Sequence, residues 1–123
     1  MAQTLDQARA QYAWEHASRN TNTIDGYREM AKGAPALIMG SGLMAALAYY
    51  QSRTGSNEKP AKALLADLLG WLADRKLVPN DFAAAMKCFF DASSADYMQG
   101  TDEALAMLKW LRQFADAVDA GAD

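Results

Sequence analysis

Gly40-Ser41-Gly42-Leu43-Met44-Ala45 matches the relaxed dinucleotide fingerprint G-x-G-x-x-A, and Glu58 follows at about the spacing of a ribose-binding acid. That chemistry needs a buried strand before the glycines and a helix N-terminus facing the pyrophosphate. The preceding Pro35-Ala-Leu-Ile-Met39 makes a weak strand at best, and everything downstream reads as helix. No parallel sheet is therefore expected to hold such a loop. Ser41 between glycines could suggest a nucleophile, but His16 alone would have to activate it. A Cys–His pair would need Cys88 and His16 to meet. Cys88 falls inside an apolar helical pattern, where a buried inert thiol is expected. His16 reads as a half-exposed helix residue beside Glu15. One Cys and one His exclude the usual Cys/His zinc sites and any intrachain disulfide. Carboxylates such as Asp67, Asp74, Asp91 and Asp96 are scattered singly along helices. The chain reads as a non-enzyme, with no catalytic residue, metal site or cofactor.

The elements that carry these residues are helical. The 123 residues suit one domain over 1–123 with a core of its own. Alanine and leucine dominate, valine occurs only at Val78 and Val118, and there are three prolines, which favours helix over sheet. Net charge is −3 and the pI about 5.0, the wrong sign for an independent nucleic-acid binder. Met1-Ala-Gln-Thr-Leu-Asp6 reaches an acid before any apolar run, so no signal peptide is read and a cytoplasmic location is expected.

Thr4-Leu-Asp-Gln7 is a capping-box pattern opening a first helix, with Leu5, Ala8, Tyr12 and Ala13 on its inner face. A second helix is expected from Thr23, with Tyr27, Met30 and Ala31 inside and a surface ion lattice of Asp25, Arg28, Glu29 and Lys32. The uncharged segment 33–52 reaches the length of a membrane span, but Pro35, Gly40, Ser41 and Gly42 interrupt it. It reads instead as two core helices. Gly40 and Gly42 in left-handed conformation end one, and Ser41 caps the next. Leu43, Leu47 and Tyr50 line the second piece. After the loop 53–59, Pro60 fits the first turn of a fourth helix whose Leu64, Leu65, Leu68, Leu69, Trp71 and Leu72 form the broadest apolar face. Asn80 is expected to cap a fifth helix with the stripe Phe82, Ala85, Met86, Phe89 and Phe90. Ser93-Ser-Ala-Asp96 opens a continuous last helix near 95–119, whose acidic end (Asp116, Asp119, Asp123) is expected to fray. The fold class is all-α, a compact bundle of about six helices with a long C-terminal helix.

Apolar residues exceed what these stripes need. Trp14 points away from the inner face of the first helix, Met107, Trp110 and Phe114 form a second stripe on the last, and Tyr49-Tyr50 end the third. Such a surplus suggests partner-binding surface at Trp14, Tyr49, Tyr50, Trp110 and Phe114.

Three stretches carry a family resemblance. They are Gln7-Ala-Arg9-Ala-Gln-Tyr-Ala13, then Pro35-Ala-Leu-Ile38 with Gly42-Leu43, Leu47, Ala48 and Tyr49, and then Glu103-Ala-Leu-Ala-Met-Leu-Lys-Trp-Leu-Arg-Gln-Phe114. Together they resemble the small helical subunit family of type III-B CRISPR effectors (the Cmr/RAMP module). Ala34 stands where the family tends to have Leu, and Gln113 replaces one of two adjacent basic residues. The resemblance implies a non-catalytic subunit that stacks with other copies of itself along RAMP-type backbone subunits and lines the channel for guide RNA and target RNA, with no membrane role. It implies backbone contacts from Arg9 and Arg112, with Arg19 and Lys109 beside them on the same helices. The competing reading is a self-associating helical adaptor that binds protein alone.

Overall fold

The computed structural model describes residues 2–122, and all regular structure in them is helical. Six α-helices follow in order: α1 Leu5–Asn20, α2 Tyr27–Ser41, α3 Leu43–Ser52, α4 Glu58–Asp74, α5 Phe82–Asp91 and α6 Ser94–Asp119. A single 3-10 turn, Gly55–Asn57, precedes α4. The long α6 is the spine, with α1, α2 and α4 packed along it; α3 lies on α4, and α5 on α3. The interior is built from the stripes read in the sequence. Leu64, Leu68 and Leu72 of α4 and Leu108 and Leu111 of α6 are fully buried, and each such side chain contributes about 1.5–3 kcal/mol.

Helix ends explain the boundaries. The Thr4 hydroxyl accepts from the Gln7 N–H, and the Gln7 side chain accepts from the Thr4 N–H, closing the expected box. α2 starts later than expected. Residues 21–26 form turns, and Gly26 at φ +86° admits the chain to the helix. α5 is capped one residue after Asn80, by Asp81, whose carboxylate accepts from the Ala84 N–H. The Ser93 hydroxyl accepts from the Asp96 N–H, and α6 runs unbroken through Gly100. The helix passes close to α5 at that glycine, where an added Cβ would press on the Phe89 ring at 3.2 Å.

The ion lattice expected on α2 is instead an inter-helix clamp. Arg28 Nε donates to Asp116 Oδ1 at 2.7 Å, and Lys32 Nζ donates to the same carboxylate at 3.0 Å. Asp116 therefore anchors α6 to α2, and the end expected to fray stays helical to Asp119. It is closed by a 6→1 bond from Ala122 N–H to Ala117 C=O and a 5→2 bond from Gly121 N–H to Val118 C=O, with Gly121 at φ +99°. Asp123 lies outside the described residues.

The α2–α3 corner needs only one of its glycines. Gly42 sits at φ +91° between the two helices, and the Ser41 side chain caps nothing. Gly40 is an ordinary helical residue with open space where a Cβ would go. Tyr97 of α6 fixes the corner by accepting from the Met44 N–H at 3.0 Å. Gly40→Ala should therefore stabilise the protein by about 0.5–1 kcal/mol. Gly42→Ala should destabilise it by about 1–2 kcal/mol, the cost of a left-handed L-residue. Urea denaturation of both variants reads the opposite signs.

Two further expectations change. Cys88 is exposed, and Phe90 is 70% exposed. α5 rests on the bundle by a narrow strip around Ala85 and Phe89, so its remaining faces meet solvent.

Candidate nucleic-acid and subunit interface

The side chains singled out in the sequence lie mainly on the α1–α6 pair. These helices run in the same sense: Asp6 meets Trp110, Trp14 meets Phe114, and Asn22 meets Val118. The Trp110 indole N–H donates to Asp6 Oδ1 at 3.1 Å. Its ring stacks on Phe114 at 5.7 Å between centroids, and Trp14 meets Phe114 edge-on at 5.4 Å. The surplus stripe is thus largely the α1–α6 seam, with all three rings partly buried against the core. Met107 of that stripe is fully buried.

The four candidate cations fare differently. Lys109 is exposed and stands 5.2 Å over the Trp110 ring, a cation–π arrangement at the Asp6 end of the seam. Arg19 is exposed toward the Asn22 end and has no ion-pair partner among the described residues. About 13 residues of α1 separate the two ends, roughly 20 Å along the helix. Arg112 is half-buried, and its Nε has no hydrogen-bond partner. Arg9 points inward. Its Nε and one terminal nitrogen grip Glu103 at 2.7 and 3.0 Å, and its other nitrogen reaches Asp6 at 3.4 Å.

The tyrosine pair divides. Tyr49 is 40% exposed beneath the Arg53 guanidinium at 4.1 Å, bordering a groove of about 310 Å³ between α2 and α3. Tyr50 is 1% exposed, and burial pushes its hydroxyl up to about 12. Tyr50 is therefore a core residue, and Tyr49 alone offers a ring at this corner.

Two polar centres went unread in the sequence. Glu103 is buried on α6 and accepts from Arg9 and from the Trp71 indole at 3.0 Å, with Arg75 Nε 3.9 Å away. Hydrogen bonding to Arg9 holds its carboxyl below the usual range despite burial. Asp67 is 4% exposed within the leucine face of α4. It accepts from the Tyr27 hydroxyl and from Asn20 at 3.0 Å, and its backbone carbonyl accepts from Tyr12 at 2.7 Å. His16 is partly buried on α1. Its Nδ1 lies 2.6 Å from Asp67 Oδ1, though without hydrogen-bond alignment, and its ring stacks on Tyr12 at 4.0 Å. Burial, then the Asp67 charge, push both Tyr12 and Tyr27 hydroxyls well above their ordinary value. One signal was present for each centre. Asp67 is an acid framed by four leucines, and Glu103 falls between Gly100 and Met107 on the buried stripe of α6.

Glu103 and Asp116 both have carboxyls held low, Asp116 by Lys32 first and then Arg28. A depressed carboxylate stabilises the fold above its unfolded pKa, and that stability is lost as pH falls through the folded value. Stability should be flat from neutral pH down to about pH 5 and then fall steeply. Thermal melts across pH 2–7 should show a smaller loss for Glu103→Gln.

Residues 5–118 match the family model described as CRISPR-associated protein (Cas_Cmr5). The chain belongs to the Cmr5 family. A relative from Thermus thermophilus, described as CRISPR system Cmr subunit Cmr5, is 35% identical over 92 residues, covering 75% of this chain and 74% of its own length. A crystal structure of a CRISPR-associated Cmr5 family protein, also from Thermus thermophilus, superposes with a TM-score of 0.75 at 31% identity, covering 94% of this chain and 97% of that one. Membership in the Cmr5 family accounts for the three stretches that carried the resemblance, because the match spans all of them.

Proposed function

We propose that this chain is a non-catalytic small subunit of a type III-B CRISPR effector, stacking head to tail along RAMP-type backbone subunits and bordering the guide and target RNA. The observation that carries this reading is the Cmr5-family match over 5–118, which includes both helices of the α1–α6 seam. Base pairing supplies sequence recognition in RNA-guided effectors, so the protein needs only backbone charge and shape. Arg19 and Lys109, exposed on the two seam helices, are the free cations for phosphate, and Arg112 joins them by turning its unpartnered Nε outward. Arg9 would contribute only by leaving Glu103, so its first role is to hold α1 on α6. Trp14, Trp110 and Phe114 offer their exposed edges, and Tyr49 its ring, to neighbouring subunits. Among the described residues no helix is long and apolar enough to cross a membrane, and the site of action is the cytoplasm.

Co-purification tests the assignment. A tagged chain expressed in its own host should bring down guide RNA and RAMP-type subunits. Recovery of neither overturns the reading, and recovery of protein without RNA favours the adaptor alternative. Within the assembled effector, Lys109→Ala should weaken RNA binding uniformly across sequences and reduce the salt slope by about 1. Filter binding across a salt series measures both effects.

A further inference from the structure

A cavity of about 540 Å³ opens beyond the C-terminal end of α4, between the α4–α5 connection, α5 and the start of α6. Its lining includes Lys76, Asp91, Asp96 and Gln99 over an apolar wall of Leu77 and Phe89. The two aspartates and Lys76 are exposed, and none has an ion-pair partner among the described residues. Lys76 is held at φ +60°, the only non-glycine residue with positive φ among the described residues. Asp74 and Asp91 are the last residues of α4 and α5, the unfavourable end of the helix dipole for an acid. The opposite end of α4, about 25 Å away, shows the reverse pattern. Glu58, Lys59 and Lys62 are all exposed there, again without ion-pair partners among the described residues, and the two lysines stand at the unfavourable dipole end for a cation. The cavity end thus presents three acids, Asp74, Asp91 and Asp96, with Lys76, and the other end two bases, Lys59 and Lys62, with Glu58. Charges placed against a local rule without an internal partner point outward, to a use beyond the chain.

We infer that this cavity receives the N-terminal end of α4 from a second copy, with Lys59 and Lys62 facing Asp91 and Asp96, and Glu58 facing Lys76. The inference rests on the stacking reading above and names the two faces that stacking uses. Leu77 and Phe89 in the lining supply the apolar ground such a contact needs. The two faces differ and lie at opposite ends of one helix, so the contact is heterologous and propagates instead of closing. Its charge complement also fixes polarity, since cavity against cavity would oppose like charges.

Sedimentation velocity of the full chain at low salt tests the contact. Wild type should grow in mass with concentration past the dimer, and added salt should reverse the growth. Asp91→Lys/Asp96→Lys and Lys59→Glu/Lys62→Glu should each raise the concentration needed for association by at least about tenfold. An equimolar mixture of the two variants should recover wild-type growth, because every pole then meets its complement. That recovery also shows that both variants are folded. A monomeric wild type, unaltered association in either variant, or an unrescued mixture overturns the inference. If the aspartate variant self-associates normally but loses RAMP-type subunits or a small amine ligand, the cavity serves another occupant and the inference is overturned. Guide RNA and RAMP-type subunits still co-purifying with a chain whose charge swap has no effect would leave the stacking reading intact and remove only this contact.

Discussion

Glu103→Ala should destabilise the protein by about 3–5 kcal/mol, lowering its melting temperature by roughly 10–20 °C. Truncation at an exposed site would cost a fraction of this. Glu103 is buried where α1, α4 and α6 meet, and it is the shared acceptor for Arg9 and Trp71. Removing it leaves the Trp71 N–H without a partner and takes the nearest carboxylate from both Arg9 and Arg75. The penalty comes from the stranded donors more than from the lost attraction. Replacing both sides of the pair should therefore recover much of the loss: Arg9→Met/Glu103→Leu should be more stable than Glu103→Ala alone. Denaturant titrations of the single and double variants measure this coupling. A Glu103→Ala protein that melts within about 3 °C of wild type would show that the carboxylate does not hold the three helices together.

Asp67→Ala should cost a similar amount, about 3–5 kcal/mol, at a separate junction. Its carboxylate satisfies the Tyr27 hydroxyl at the start of α2 and the Asn20 amide at the end of α1, and it lies against His16. The turn from α1 to α2 is thereby anchored to the middle of α4. Without it, two buried donors, the Tyr27 hydroxyl and the Asn20 amide, lose their acceptor. Asp67→Asn keeps a carbonyl oxygen for Tyr27 and should lose less than half as much. Tyr27→Phe in the Asp67→Ala background should cost little more, since the hydroxyl has already lost its partner. Near-UV circular dichroism should report the change, because Tyr12 and Tyr27 both bond to this residue. If Asp67→Ala and Tyr27→Phe prove additive, the network does not act as a unit.

Apolar periodicity made the bundle legible. The α4 leucines, the α5 strip and the single long α6 follow from spacing, and Thr4, Gln7 and Ser93 announce their caps by type and position. What escaped was everything set by contact between distant segments. Arg28 and Lys32 have Asp25 and Glu29 three residues before them, yet Asp116 of α6 takes both, because α2 packs on α6, and Arg28 adds only a contact to the adjacent Glu29. Asp67 reads as one carboxylate among several scattered along helices, and Glu103 only as part of the closing stretch, because a sequence does not show which opposite or polar groups arrive from other helices. Between Gly40 and Gly42, type alone does not decide which turns left-handed; the corner held by Tyr97 does. The family was legible from three stretches, whereas the outward-facing cations among the candidates were not. Arg9 and Arg19 are alike in sequence context, but one faces a buried glutamate and the other faces water.

The pairing of α1 with α6 joins the first helix to the last, with Asp6 and Trp110 104 positions apart in sequence. On a ribosome adding about 5–20 residues per second, the first helix would emerge roughly 5–20 s before its partner exists. Its Trp14 has no seam to enter during that wait. A helical bundle ordinarily gathers itself from near neighbours as it is made, but this one keeps its opening segment as the last to be seated.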